Sequence, residues 1–399
     1  MAIAYGVTAF LLWAGFLFGA SRHPWLFGFS RSYIAFLAAS AVALLAPLAW
    51  FGLARRLGWR RVVSESLPTV GLLAVGYLIA IGYYDATRTY EFDPFLQNPP
   101  ALIVDVMRPK TAAELRVAAL GGSTTESSML AGPERYPERL RQALADALPE
   151  RRVDVFNGGR DWWTTRHSLI HYATHVRWWN PDIVVVMHAI NDLYRSCASD
   201  QYALGEYTPT WSHFYGPAIR GARPPSLPGA LLGRVRRSMY LQWYRPWRIR
   251  EVDRPLEYYR SISAYELNLR GLAATVRADG AMLVIVTQGS LYKDEPSPEE
   301  EAVIRFGEEF CMTARPGLGA EYPSARSLRR AMDAFNDAAR RVALEEGAIL
   351  VDLDARLERT LGIFVDDVHH TAAGAALVAT QVNAAIVTAL ADAGEPVSR

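Results

Sequence analysis

Residues 115–127 read Leu115-Arg116-Val117-Ala118-Ala119-Leu120-Gly121-Gly122-Ser123-Thr124-Thr125-Glu126-Ser127. The apolar run up to Leu120 has the length and composition of a short buried strand. Two glycines then turn the backbone tightly, and Ser123 falls just past the strand's C-terminal end. Open α/β sheets bind their ligands at that edge. A turn of small residues exposes a serine oxygen and aims backbone N–H groups at a developing oxyanion. Alone, Gly-Gly-Ser after a strand is more often a plain loop. The rest of the chain decides its meaning.

Outward from this stretch, strands and helices alternate. A helical run over Tyr136–Leu148 is followed by a strand over Val153–Phe156. A helix over Thr165–Trp178 then leads to Asp182–Met187, an apolar β-branched run of the buried parallel kind. Helix Tyr265–Ala278, strand Met282–Thr287, helix Leu328–Glu346, strand Ile349–Leu353 and helix Ala372–Ala391 complete the series. This order predicts a parallel sheet with helices on both faces. Two segments interrupt it, residues 193–260 and 289–324, and insertions at strand ends commonly shape a site.

Each strand ends in polar residues. Asn157-Gly158-Gly159 follows the second and His188-Ala189-Ile190-Asn191-Asp192 the third. Asp366-Asp367-Val368-His369-His370-Thr371 comes after the last. Singly these are turn glycines, an Asx turn and a helix N-cap at Thr371. Together they bring a serine, a glycine, an asparagine and an Asp-x-x-His to one edge of one sheet. A serine hydrolase needs a nucleophile, a base, a group that orients the base, and oxyanion donors.

These four blocks resemble the SGNH (GDSL-like) hydrolases over roughly Leu115 to Ala391. The resemblance implies a flavodoxin-like three-layer α/β/α sandwich, a domain over 115–395, with the two insertions outside the common fold. It implies Ser123 as nucleophile, His369 as general base and Asp366 as the carboxylate holding the imidazole. The oxyanion hole would be the Ser123 N–H, the Gly159 N–H and the Asn191 side-chain amide. Asp192 would anchor the loop presenting Asn191. Spacing to the Thr-x-x-Gly that follows favours His369 and Asp366 over their neighbours His370 and Asp367. The chain departs from the family in two places. Ala189 stands where a glycine is usual, and Trp162 and Trp163 stand where the second block has a small residue. No metal or organic cofactor is implied.

The first 85 residues differ in kind. Residues 1–20, 32–54 and 67–84 carry no charged side chain. Runs of about 18–23 residues suffice to cross ~30 Å of hydrocarbon, so three transmembrane spans are expected. The first lacks the basic start and small-residue exit of a cleaved signal peptide. Arg55, Arg56, Arg60 and Arg61 between the second and third runs outnumber Arg22 and Arg31 between the first and second. The denser cluster stays cytoplasmic, which puts the N-terminus inside and the hydrolase-like domain outside, with residues 86–114 as linker. A bacterial inner-membrane protein with a periplasmic domain fits this pattern. The expected partners are therefore an acyl-ester substrate on glycan or lipid, the lipid bilayer, and lateral membrane proteins. The net charge of +1 gives no pull toward nucleic acid.

Two readings of function follow. One is a membrane-anchored extracytoplasmic serine esterase acting on O-acyl groups of cell-surface carbohydrate, as deacetylase or acyltransferase, with lipase or thioesterase chemistry behind it. The other is a structural subunit of a membrane complex using the hydrolase-like fold for docking. The basic, aromatic stretch Leu232–Arg250 reads as a lid or surface helix, or as an element resting on an anionic interface. His167, His171 and His175 share one helical face and read as ordinary surface or half-buried histidines. With only two cysteines there is no disulfide scaffold or four-thiolate metal site. Cys197 and Cys311 follow the third and fourth strands and would meet at one edge if those strands are neighbours.

Overall fold

The eight residues of β1 (Glu114–Gly121) are all buried, and so are the five of β3 (Ile183–Met187). Such strands can only lie in the middle of a covered sheet. In the computed structural model they do. The structure describes residues 100–197, 249–308, 313–315 and 319–394, with Leu96 and scattered positions between 50 and 79. The expected spans, the first part of the linker, most of the first insertion including Leu232–Trp247, and Cys311 lie outside the described residues, apart from those scattered positions.

The chain divides into two units, one of Met1–Tyr90 with Arg223–Ile249, the other of Glu91–Ala222 with Arg250–Arg399. In the second, β1, β2 (Arg152–Gly159), β3, β5 (Met282–Val286) and β8 (Ile349–Val351) form one sheet in the order β2-β1-β3-β5-β8. All four pairings are parallel, with Gly121 opposite Gly159 and Met187. This is the flavodoxin-like order. Connections from β1 to β2 and from β2 to β3 leave in opposite directions. A crevice therefore opens beyond the C-terminal ends of β1 and β3, where the polar blocks sit.

Helices cover both faces. On one, α2 (Tyr136–Ala147) packs against α9 (Ala372–Asp392). On the other, α5 (Ile262–Ala278) packs between α3 (Thr165–Thr174) and α7 (Ala325–Glu346). α7 begins at Ser324, whose hydroxyl accepts the Ser327 N–H, and ends at Gly347 in the left-handed region that favours glycine. Among the described residues α9 is the one helix long and apolar enough to cross a membrane. Its buried residues Ala375, Val378, Ala379, Val382, Ile386 and Leu390 recur at helical spacing, and that stripe is already taken up by packing on the domain.

Three departures from the expected elements have local causes. The helix expected over Thr165–Trp178 stops at Thr174 and continues as a 3₁₀ turn, Val176–Trp179, closed by Asn180 in the left-handed region. β8 stops at Val351 because the Asp352 carboxylate caps the short α8 (Leu353–Arg356), accepting the Ala355 N–H. The insertions contribute β4 (Ile249–Val252), β6 (Thr313–Arg315) and β7 (Gly319–Pro323), which form a second sheet. The expected linker is not free at its end either. Arg108 pairs with Glu114, Lys110 with Asp182, and the Ile103 N–H donates to His175 Nε2 at 3.1 Å.

Candidate active site

Ser123 opens a one-turn helix, α1 (Ser123–Glu126), directly after β1. The first N–H groups of a helix have no preceding helical carbonyl to bond, and Ser123 is the first residue of this one. Gly122 is required by what lies against it. A Cβ there would come within 2.7 Å of Asn191 Nδ2 and 3.1 Å of the Trp163 carbonyl oxygen. Asn191 belongs to α4 (Ile190–Arg195), so the amide from the third block lies beside the serine of the first.

His369 and Asp366 come from a tight turn between β8 and α9. Val365 N–H donates to His369 O at 2.8 Å and Thr371 N–H to Ile363 O at 2.8 Å, which folds residues 363–371 back on themselves. Asp366 sits at the tip and accepts the backbone N–H groups of Val368 (3.0 Å) and His369 (2.8 Å). Its carboxylate also lies 2.8–2.9 Å from His369 Nδ1, and His369 Nε2 lies 2.7 Å from Ser123 Oγ. The three side chains form one continuous hydrogen-bond chain, although Ser123 and His369 are 246 residues apart. Burial works against charge on Asp366, but His369 and the two backbone donors prevail and hold its carboxyl below the ordinary range. Burial likewise opposes an imidazolium at His369. The charge and hydrogen bond of Asp366, with Asp367 and Asp161 beyond, outweigh it and raise the imidazole above its ordinary value.

The third block grips the second on both sides of Thr164. Asn191 Nδ2 donates to the Trp163 carbonyl at 2.8 Å, and the Asp192 carboxylate accepts the Thr165 hydroxyl (2.6 Å) and N–H (3.0 Å). An amide nitrogen carries two N–H groups, so Asn191 can still donate a second bond. Burial pushes the Asp192 carboxyl up to about 6 against the pull of Arg195 and Thr165. Gly159, at the end of β2, lies beside the nucleophile turn. Its N–H donates to Asn157 Oδ1 at 3.0 Å, an Asx turn within the block. The position also admits no side chain: a Cβ at Gly159 would lie 2.3 Å from Glu126 N. The turn's left-handed residue is instead Trp162, at φ 65°. A bulky residue in that region is uncommon and marks local strain.

Other residues around the site were not singled out by the sequence. Glu126 binds Arg160 (2.8 Å) and the Asp161 N–H (2.7 Å), tying the nucleophile turn to the second block. Gln288, after β5, accepts the Ile190 N–H (2.8 Å) and donates to Thr124 Oγ1 (3.1 Å), while Asn336 of α7 clamps its backbone. His167 and His171 are buried rather than at the surface, and His175 is half-buried. His167 Nδ1 closes a capping box with Thr164. Among the described residues, the metal-capable group of His, Cys, Asp and Glu is Asp366, Asp367 and His369, and His369 there already bonds both Asp366 and Ser123. β3 and β5 are neighbours, as the cysteine reading required, and Cys197 is disulfide-bonded. The one other cysteine of the chain is Cys311.

A parallel α/β sheet bearing such a chain of groups at its C-terminal edge is the architecture of an ester hydrolase. The model of the GDSL-like lipase/acylhydrolase family matches residues 119–377, and the chain belongs to this family. No curated protein matches it. Among solved structures it is similar to Axe2, an acetylxylan esterase from Geobacillus stearothermophilus, with 18% identity, 68% of this chain and 94% of that one covered, and a TM-score of 0.41. It is also similar to LAE5, an alpha/beta hydrolase enzyme from the metagenome of Lake Arreo, Spain, with 20% identity, 69% and 96% covered, and a TM-score of 0.40.

Proposed function

We propose that the protein is a serine esterase in which Ser123 attacks an acyl ester, His369 takes the serine proton at Nε2, and Asp366 holds the Nδ1–H and stabilises the imidazolium. The observation that carries this reading is the unbroken chain Asp366–His369–Ser123, with contacts of 2.7–2.9 Å. The tetrahedral oxyanion is met by the Ser123 N–H and the second N–H of the Asn191 amide. The alcohol leaves with the proton from His369, and water or an acceptor hydroxyl then attacks the acyl-enzyme with His369 as base.

The uncharged runs of the first 85 residues support a membrane anchor, and the arginine cluster supports an outward-facing domain. A tethered, outward site with tryptophans in its second block favours O-acyl groups of surface carbohydrate, O-acetyl foremost, as substrate. Labelling of the detergent-purified protein with a fluorophosphonate probe tests the chemistry. Labelling abolished by Ser123→Ala and by His369→Ala is expected. A folded protein that does not label, or a Ser123→Ala variant that still does, would overturn it.

A further inference from the structure

Asp367 stands beside Asp366 in sequence but has its own hydrogen-bond partners. It is 1% exposed. Its Oδ2 accepts the hydroxyls of Tyr194 (2.5 Å) and Tyr292 (2.9 Å), which are 3.2 Å from one another. Tyr194 comes from α4, the helix of Asn191, and Tyr292 from the loop after β5. Leu291 in that same loop donates its N–H to the Asp367 carbonyl at 2.8 Å. Three segments of the site thus converge on one carboxyl. Its other oxygen, Oδ1, is buried with no hydrogen-bond partner. Among the described residues no arginine or lysine pairs with it. The charged or titratable groups that face it are Asp366 and His369 from its own turn, Tyr194 from α4 and Tyr292 from the β5 loop. Ligating atoms of Asp366, Asp367 and His369 all lie within 4.8 Å of one another.

A carboxylate in this setting is expensive. Burial without a cation penalises the charge, an orphaned oxygen adds to the cost, and a second carboxylate nearby repels it. A neutral acid escapes all three. The hydroxyl pair suits it, because an acid O–H can donate to one tyrosine oxygen while the other tyrosine still donates back.

Resting on the reading of His369 as the base, we propose that Asp367 is a positioning residue kept a neutral acid by its burial beside Asp366 and held in place by the Tyr194–Tyr292 pair, so that Asp366 alone carries the negative charge behind the imidazole. Loss of its proton then places a second negative charge within 4.8 Å of the His369 ring. Burial and the charge of Asp366 push the Asp367 carboxyl up to about 7, with both tyrosine donors and His369 pulling the other way. Asp367 in turn contributes to raising His369. Two groups this close lose their protons in shared steps. An ionised Asp367 keeps the imidazole protonated to higher pH and so delays the onset of activity.

Two measurements on the full-length protein in detergent test this. Infrared difference spectra between pH 6 and pH 9 should show a protonated-carboxyl carbonyl band that disappears in Asp367→Asn and persists in Asp366→Asn. Tyr194→Phe and Tyr292→Phe remove donors that favour the ionised form, so in them the band should survive to higher pH. These variants keep the test decisive if Asp367→Asn does not fold. The second measurement is the pH dependence of the fluorophosphonate labelling rate. Its acidic limb should move to lower pH in Asp367→Asn by about half to one unit, roughly three- to tenfold faster labelling on that limb. A band unaffected by Asp367→Asn and by both tyrosine variants, or an acidic limb that stays in place, would overturn the proposal. Absence of labelling with the band present would instead count against the esterase reading and leave the neutral acid established.

Discussion

The two ends of the main sheet treat buried charge in opposite ways. Where the strands begin, Arg116 is 1% exposed yet fully partnered. Its guanidinium bonds Glu114, the carbonyls of Trp179, Arg108 and Pro109, and stands 5.4 Å over the Trp179 ring. Asp182 accepts the Arg116 N–H at 2.8 Å and pairs with Lys110. Where the strands finish, Asp367 Oδ1 and both ring nitrogens of the buried His370 lack partners, and Trp162 is held in the left-handed region. Saturated charge holds a structure; unsaturated polar groups and strain collect where chemistry is done. The difference predicts that substitutions at the two ends fail in different assays.

The largest expected effect is Asp366→Asn. It keeps the shape of the turn but leaves His369 Nδ1 facing an amide, and the imidazole in the wrong tautomer. A drop of about 10⁴ in kcat is expected by analogy with the triad aspartate of serine proteases, with the melting temperature nearly unchanged. At the other end Arg116→Met should do the reverse. It strands Glu114 with Arg108 as its remaining cation, and breaking such a buried pair costs about 3–5 kcal/mol. Denaturant unfolding should report that loss, while the labelling rate of the folded fraction stays as before. An Arg116→Met variant that is stable but inactive would break the division between the ends.

The same division explains what could be seen without coordinates. That Ser123, His369 and Asp366 would come together was legible, because Asp-x-x-His puts an imidazole and a carboxylate in one turn and both that turn and Ser123 follow strand ends. Asn191 and Asp192 were legible as a pair at a strand end. Gln288, Asn336 and Glu126 were not. Each is an ordinary polar residue whose role depends on which strands are neighbours, and β3 beside β5 is a fact of topology. The hydrogen bonding of Gly159 was hidden for a related reason. Its position in the second block is clear in sequence, but its N–H is claimed by Asn157, two residues earlier. The strands β6 and β7 escaped because Thr313–Arg315 and Gly319–Pro323 lack the alternating apolar pattern that marks a half-buried strand.

Asn191→Ala comes next in size. Asp192 holds Thr165 independently, so the two loops should stay joined when Asn191 is shortened. Loss of one preorganised donor is expected to lower kcat by about 10²–10³ with KM little affected. An effect confined to KM would place Asn191 in substrate binding.

The smallest effects are those of pH, and they separate the ends most cleanly. At Glu114 burial opposes the charge, but hydrogen bonds from Arg108 and Arg116 win and hold the carboxyl well below the ordinary range. A folded-state pKa below the unfolded one stabilises above the unfolded value, about 4.5, and that contribution is lost as pH falls toward the folded value. Stability against denaturant should therefore decline progressively as pH falls below about 5, and more shallowly in Glu114→Gln. His369 has the opposite sign. Its folded pKa is raised, so its contribution to stability is full below the ordinary imidazole value and fades as pH climbs through the raised one. Activity needs the neutral ring and runs the other way, with an acidic limb whose midpoint lies above about 6.5. One end of the sheet thus loses stability in acid, and the other loses activity well before that. A labelling rate that fell only in step with acid unfolding would mean that the imidazole is not the group that limits it.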